Sequence, residues 1–342
     1  MNSVERIEAV LSHQIPDRVP CFEWIVDKKV VNALLPSAAG EATEEDFINE
    51  FGLDVVCVDP NYFSEMLPSG YVRDEWGMIK GYSSEAHSYP VDGPIHNAKE
   101  LENYTPPSAT EPGRFDTLKK KLEKYSDGSK AVMLHLNDIW SIPSRMMPFE
   151  EFIINIFDEP EFISELVGMT VDVNIALATE AAKLGCKFVY TGDDVAYNNG
   201  PMIAPSMFEE IFVPHLKRVI GAYKDLGLYV IKHTDGNVMS LLDYYIDAGI
   251  DCFDPIDPIA GMDFGFLKEK YGKTLAFKGN VNCATTLVSG SIEDVIEESR
   301  SRMAIGKPGG GYIFSSSNSI HSSVNPQNYK AMLDTWKELR DY

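Results

Sequence analysis

His233 and Asp235 stand two residues apart in Lys232-His233-Thr234-Asp235-Gly236-Asn237, and a pair of carboxylates, Asp193 and Asp194, closes the earlier segment Thr191-Gly192-Asp193-Asp194. One imidazole grouped with carboxylates offers the nitrogen and oxygen donors that a zinc ion accepts. The same groups could instead act as a His–Asp acid/base pair, and the sequence leaves both open. The catalytic candidates are therefore His233, Asp235, Asp194 and Asp193. His233, Asp235 and Asp194 are the candidate metal ligands, with His321 in reserve because it follows Asn318 closely enough to reach the same place. The other histidines are weaker candidates. His215 lies among Ile211, Phe212, Leu216 and Val219 and is expected to pack on a helix, His135 lies inside an apolar run, His13 follows the first helix, and His87 and His96 fall in an irregular stretch.

The elements that must position these groups repeat along the chain. After a helix over Asn2–Ser12, short apolar runs read as strands at Arg18–Glu23, Val55–Asp59, Ala131–Leu136, Phe188–Thr191, Leu228–His233, Cys252–Asp254, Thr274–Gly279 and Gly311–Ser315. Amphipathic stretches separate them: Phe115–Tyr125, Phe162–Leu184 behind Asp158 and Pro160, Met207–Leu226 behind Ser206, and Tyr329–Leu339 behind Asn325 and Pro326. Strand followed by helix, repeated, implies parallel strands joined by right-handed crossovers. The expected fold is α/β: a (β/α)8 TIM barrel, one domain over residues 1–342, with an N-terminal helix and a hairpin-like excursion at Ser69–Pro94 after the second strand.

Nearly every run ends in residues able to bind a ligand, and in a barrel of this kind these ends converge on the catalytic face. In order they are Glu23 and Trp24, Asp59 and Asn61, His135 with Asn137 and Asp138, Asp193 and Asp194, His233 and Asp235, Asp254 and Asp257, Asn280 with Asn282 and Cys283, and Ser316 to Asn318. Asp, Asn and Ser also cap helices and shape turns, which accounts for some of them. Acids and histidines concentrate here beyond what turns require. Glu23, Trp24, Asp59, Trp140, Tyr197, Asn280 and Asn318 are the candidate substrate-binding residues, the aromatics as platforms for an aryl ring.

A formal net charge of −22 excludes the clustered basic surface that nucleic acid or an anionic membrane would need. The five cysteines, Cys21, Cys57, Cys186, Cys252 and Cys283, are scattered and form no CxxC pair, so neither a disulfide framework nor a sulfur-rich zinc cluster is expected. No apolar signal region follows Met1, and a cytoplasmic location is expected.

Several segments carry a family likeness. Glu5-Arg6-Ile7-Glu8-Ala9-Val10-Leu11 with Pro16-Asp17-Arg18-Val19-Pro20, then Met207 to Lys217, His233 to Asn237, Lys278-Gly279-Asn280-Val281-Asn282 and Gly309 to Asn318 resemble uroporphyrinogen decarboxylase and its relatives in order and spacing. That superfamily contains the haem-pathway decarboxylase and corrinoid-dependent methyltransferases. Where the decarboxylase carries Arg-Gln-Ala-Gly-Arg for substrate carboxylates, this chain has Glu23-Trp24-Ile25-Val26-Asp27-Lys28-Lys29. Where thiol-directed methyltransferases carry His-x-Cys and a further Cys, it has His233-Thr234-Asp235 and Ser315-Ser316-Ser317-Asn318.

The resemblance therefore implies a substrate-side methyltransferase of the O-demethylase type. It would move a methyl group from a methoxylated aromatic or other small methylated substrate to cob(I)alamin, with zinc or an acid activating the leaving group. No Asp-x-His-x-x-Gly segment occurs, so the corrinoid would be carried by a partner protein. The alternative is a decarboxylase-like lyase acting on a smaller carboxylic acid, with Asp59 or Asp194 steering the proton. An acid-rich mouth favours neutral or singly anionic substrates.

Overall fold

The computed structural model describes residues 1–35, 41–82 and 88–342. Seven of the apolar runs form one curled parallel sheet in the order of the chain. Its strands are β1 (Val55–Val58), β2 (Ala131–Leu136), β3 (Phe188–Gly192), β4 (Tyr229–His233), β5 (Cys252–Asp254), β6 (Ala276–Val281) and β7 (Tyr312–Ser316). Successive side chains on a strand point to opposite faces. One set, Val55, Ala131, Met133, Phe188, Tyr190, Ile231, Cys252, Ala276 and Ile313, packs in the barrel interior with Phe22 and with Ile7, Val10 and Leu11 of the helix Ser3–Leu11. Their neighbours, such as Val56, Val132, Leu134, Val189, Val230, Phe253, Phe277 and Phe314, fill the larger layer between sheet and helices. Both faces are thus dry, which is why the strands read as continuous apolar runs rather than alternating ones.

The predicted first strand, Arg18–Glu23, departs from expectation. It forms no regular strand and makes isolated bridges, Cys21 to Phe314 in parallel and Arg18 to Asp341 in antiparallel. Pro20 has no N–H to donate, so a continuous ladder cannot run through it. The segment still joins the two edges of the sheet. Phe314 N donates to Pro20 O at 2.9 Å, Phe22 N to Phe314 O at 3.2 Å, and Asp54 N to Cys21 O at 2.9 Å. The Asp54 carboxylate, fully buried, accepts from Ser3 Oγ (2.9 Å), Arg6 (2.6 Å), Arg18 (2.8 Å) and the Cys21 N–H (3.0 Å). It ties the N-terminal helix, the closing segment and the entry to β1 together.

Helix boundaries shift for readable reasons. The stretch expected as one helix over Met207–Leu226 is two, Pro205–Ile211 and Val213–Asp225, because Pro214 lies in the first turn of the second and cannot continue a preceding helix. Asp158 ends the helix Phe149–Asp158 instead of capping the next one, which runs Pro160–Lys183. That helix is long and apolar enough to cross a membrane, but more than half of its most apolar window is buried, packed against the helices Phe149–Asp158 and Val213–Asp225. The excursion after β1 is larger than a hairpin: Ser64–Met66, Val72–Asp74, Ile79–Tyr82 and Ser88–Asp92 form a four-stranded antiparallel sheet. His87 lies outside the described residues.

Asp54→Ala should destabilise the fold by about 3–5 kcal/mol, since it leaves Arg6 and Arg18 facing a buried gap without their carboxylate. Urea unfolding at neutral pH measures this as a lower midpoint at unchanged slope. A loss under about 1 kcal/mol would show that closure does not depend on this carboxylate.

Candidate active site

His233 ends β4 with its ring inside the barrel mouth, 5% exposed. Parallel register sets it beside Asp254 at the end of β5, and its Nδ1 lies 2.7 Å from Asp254 Oδ2. An ionised carboxylate only accepts, so Nδ1 carries the proton and Nε2 is turned outward. Asp254 is fully buried and also accepts from Tyr190 OH (2.6 Å) and Lys278 Nζ (2.8 Å). Burial pushes its carboxyl upward, but Lys278 and His233 outweigh this and hold it below its ordinary value.

Nε2 of His233 faces Asp235 Oδ1 at 3.5 Å and Asp194 Oδ1 at 3.9 Å. Ligand atoms of Asp194, His233 and Asp235 all lie within 4.8 Å of one another. Burial opposes charging of His233, yet Asp235, Asp254 and Asp194 together raise it to about 9. Burial raises Asp235 to about 6, with His233 pulling the other way and Asp194 adding to the rise. Asp235 Oδ1 is buried and has no hydrogen-bond partner, while its other oxygen accepts from Asn318 Nδ2. The Asp235 N–H donates to Asp194 Oδ1 at 3.1 Å, fixing the two acids side by side. An orphaned carboxylate oxygen beside an outward imidazole nitrogen, amid crowded negative charge, fits a divalent cation, and one nitrogen with oxygens fits zinc.

Asp193, expected with this group, lies apart from it. Adjacent residues beyond β3 project in opposite directions, and Asp193 turns into the protein. There it accepts the backbone N–H groups of Ile139 (2.5 Å), Trp140 (2.6 Å), Ser141 (2.8 Å) and Asp138 (3.2 Å), which leaves it pinning the loop after β2. Lys232 likewise points outward from the barrel and pairs with buried Asp138 at 2.7 Å.

The expected substrate-binding residues divide between the interior and two clefts. Trp24 meets the rings of His135 (4.6 Å), Tyr190 (5.4 Å) and His233 (5.8 Å), and Asp59 holds His135 Nδ1 at 2.7 Å. Glu23 is buried against β7, accepting from Ser316 N (2.9 Å) and Ser316 Oγ (2.7 Å). Burial, opposed by Lys278, pushes it up to about 7. Asn280 is buried, its Nδ2 donating to Ile256 O at 2.6 Å.

Trp140, packed between Phe152 and Phe212, edges a cleft of about 540 Å³ that Ser144, Arg145, Met147, Phe149 and Asp194 also line. Tyr197 and Asn318 edge a second cleft of about 580 Å³ with Asp235, Asp257, Cys283 and His321. His321 Nε2 lies 3.2 Å from the Cys283 carbonyl, so the reserve ligand faces backbone here. Asp194 lines one cleft and Asp235 the other, with His233 behind both.

Three residues hold it in place: Asp254, one of the expected strand-end acids, with Tyr190 and Lys278. The sequence signal for the last two was faint. Lys278 sits two residues after Ala276 in an otherwise apolar run, a cation at an inward strand position that needs a buried anion, and Asp254 ends the neighbouring run. Arg145, which lines the aromatic cleft, carried no signal at all.

The family described as uroporphyrinogen decarboxylase (URO-D) matches residues 81–339. A curated relative from Methanosarcina mazei, a methylated-thiol–coenzyme M methyltransferase, is 22% identical over 214 residues, covering 62% of this chain and 56% of that protein. The chain thus matches little more than half of that relative's length. A solved structure of a methyltransferase from Methanosarcina mazei superposes with a TM-score of 0.76 at 17% identity, covering 99% of each chain, and shares the fold.

Two outcomes follow from the geometry. Asp254→Asn should weaken zinc affinity about 10- to 100-fold, because the ring that presents Nε2 loses its anchor. Competition with a chromogenic chelator reads this, and unchanged affinity would show that Asp254 does not orient His233. Glu23 gives the second. Its folded value near 7 lies above its ordinary 4.5, so its contribution to stability is fully present below about pH 4.5 and is lost as pH rises through 7. Glu23→Gln keeps the Ser316 contacts and should flatten that slope. Denaturant midpoints at pH 5 and at pH 8 compare the two proteins, and an unchanged slope would locate the titration elsewhere.

Proposed function

Because the chain belongs to the uroporphyrinogen decarboxylase (URO-D) family, we propose that it is a single-barrel methyltransferase of the O-demethylase type. In this reading it moves a methyl group from a methoxylated aromatic, or another small methylated substrate, to cob(I)alamin carried by a separate corrinoid protein. The observation that carries the reading is the His233 cluster: Nδ1 is locked on Asp254 and Nε2 is presented to Asp194 and Asp235, between two clefts. The methyltransferase names of the Methanosarcina mazei proteins support methyl transfer as the reaction class.

His233, Asp235 and Asp194 are the residues that would hold zinc. When bound there, the ion would supply Lewis-acid polarisation of the oxygen from which the methyl group departs. A ligand set of one nitrogen and two oxygens, with no sulfur, keeps that ion hard and suits an oxygen leaving group better than a thiolate. Asp254, clamped by Lys278 and Tyr190, keeps the imidazole in the correct tautomer. Trp140, Met147 and Phe149 give the first cleft apolar walls for an aryl ring.

Charge separates this reading from a lyase acting on carboxylic acids. Lys278 is committed to Asp254, and Lys232 to Asp138. Among the described residues lining the two clefts, the one arginine or lysine is Arg145. The clefts therefore suit a neutral or singly anionic substrate, because further carboxylates would meet Asp194, Asp235 and Asp257 without a free cation.

The test mixes the full chain with zinc, chemically reduced cob(I)alamin and a panel of methoxyarenes. The expected result is loss of cob(I)alamin absorbance with stoichiometric release of a phenol. His233→Ala should abolish this and remove bound zinc while the protein still unfolds in one cooperative transition, since Lys278 and Tyr190 continue to satisfy Asp254. Retained zinc stoichiometry in that variant would sink the metal assignment. Decarboxylation of a small acid without methyl transfer would favour the lyase.

A further inference from the structure

Gly192 ends β3 between two imidazoles. A Cβ at this position would lie 3.3 Å from His135 Nε2 and 3.9 Å from His233 Cδ2. With no side chain at Gly192, nothing from β3 covers His135 Nε2 at this point, and the strand backbone passes between the two rings close to the metal-ligand candidates. His135, at the inward position of β2, is held from the other side. Its Nδ1 lies 2.7 Å from Asp59 Oδ1, one residue beyond β1. The rings of Trp24 and Tyr190 pack against it, with centroids 4.6 Å and 6.0 Å away. Its Nε2 is buried and has no hydrogen-bond partner among the described residues.

A buried ring nitrogen without a partner is costly unless something else uses it. A carboxylate only accepts, so Nδ1 is the donor to Asp59 and Nε2 is the ring atom left to face a ligand. The charged and titratable groups facing the ring are few: Asp59 from the end of β1, Tyr190 from β3 and, beyond Gly192, His233 from β4. Tyr190 is already committed to Asp254. Imidazole is the side chain that exchanges protons near neutral pH, and an imidazole oriented by a carboxylate is the usual form of a general acid or base.

We propose that His135, oriented by Asp59, is a second proton-transfer residue that protonates the substrate oxygen as its methyl group leaves. The inference rests on the methyl-transfer reading above. In the step, the oxygen–methyl bond breaks with its electron pair going to oxygen, while the methyl carbon takes the electron pair of the cob(I)alamin carried by the partner. The oxygen takes the Nε2 proton of the His135 imidazolium. The product leaves as a neutral phenol, and the ring is left neutral with its Nδ1 proton still on Asp59. Solvent returns the lost proton before the next turnover. Protonation lets the product leave as a neutral phenol, which a bound cation would hold less tightly than a phenoxide.

The test is a leaving-group series: methoxyarenes whose phenols range from weakly to strongly acidic, with chemically reduced cob(I)alamin as acceptor. His135→Gln should slow the methoxyarenes of weakly acidic phenols by about 10²–10⁴-fold, and those of nitrophenols by less than about tenfold, because a good leaving group needs no proton. Asp59→Asn should give the same dependence on phenol acidity with a smaller loss. A uniform loss across the series in both variants overturns the proposal. If the parent protein turns over none of the series, the methyl-transfer reading fails, and the pair is judged in the resting protein. Adding phenol itself should then shift the His135 Nε2 resonance in imidazole NMR of the parent protein and not of Gly192→Ala, whose methyl group would lie against Nε2 at 3.3 Å and cover it. A resonance that phenol does not move overturns the proposal as well.

Discussion

A parallel sheet that curls on itself must join its two edge strands or leave rows of unpaired backbone groups. Here the joint is a segment that is barely a strand. Pro20 to Phe22 make three backbone hydrogen bonds, to β7 on one side and to the entry of β1 on the other. The buried carboxylate of Asp54 fastens the joint to two arginines and the N-terminal helix. The position of the mouth follows from it. Glu23 and Trp24 come directly after the joint, so closure places Glu23 against Ser316 and brings the Trp24 ring to both His135 and His233.

Within the closed barrel, charge is buried in satisfied sets. Asp254 and Lys278 sit inside an otherwise apolar lumen, where each alone would be very costly. Together with Tyr190 and His233 they complete one another's hydrogen bonding, and the Lys278 ammonium stays charged, burial being outweighed by Asp254 and Glu23. Such a pair contributes little net stability compared with an apolar packing of the same volume. Its effect is directional, because it fixes which imidazole nitrogen of His233 faces the clefts. Asp193 follows the same rule elsewhere: four backbone N–H groups satisfy its charge, and it stiffens the loop that carries Trp140.

The mouth combines this rigidity with unmet valence. Asp235 Oδ1 and His135 Nε2 are both buried and unpartnered, and both lie near the outward side of His233. They are two of several buried polar atoms without a hydrogen-bond partner among the described residues, and these two belong to groups at the barrel mouth. One orphan is a carboxylate oxygen suited to a cation, and the other is a ring nitrogen suited to a proton.

The sequence by itself determined the repeating strand and helix pattern, the apolar interiors of the strands and the polar residues at their ends, because burial and side-chain periodicity act within a few residues. It also held the spacing of His233 and Asp235 and the nearby acid pair, since short strand-end turns keep such neighbours together. Tertiary structure alone decided which acid of the pair faces the site. Asp193 and Asp194 are chemically alike, and only the course of the chain after Gly192 sends one to the backbone of the β2 loop and the other to His233. It decided the partnership of His233 with Asp254, which depends on the register of β4 against β5, and that of His135 with Asp59, which depends on β1 lying beside β2. It also decided that Arg18–Glu23 would close the barrel without becoming a strand, because Pro20 permits contact with both edges but not a continuous ladder.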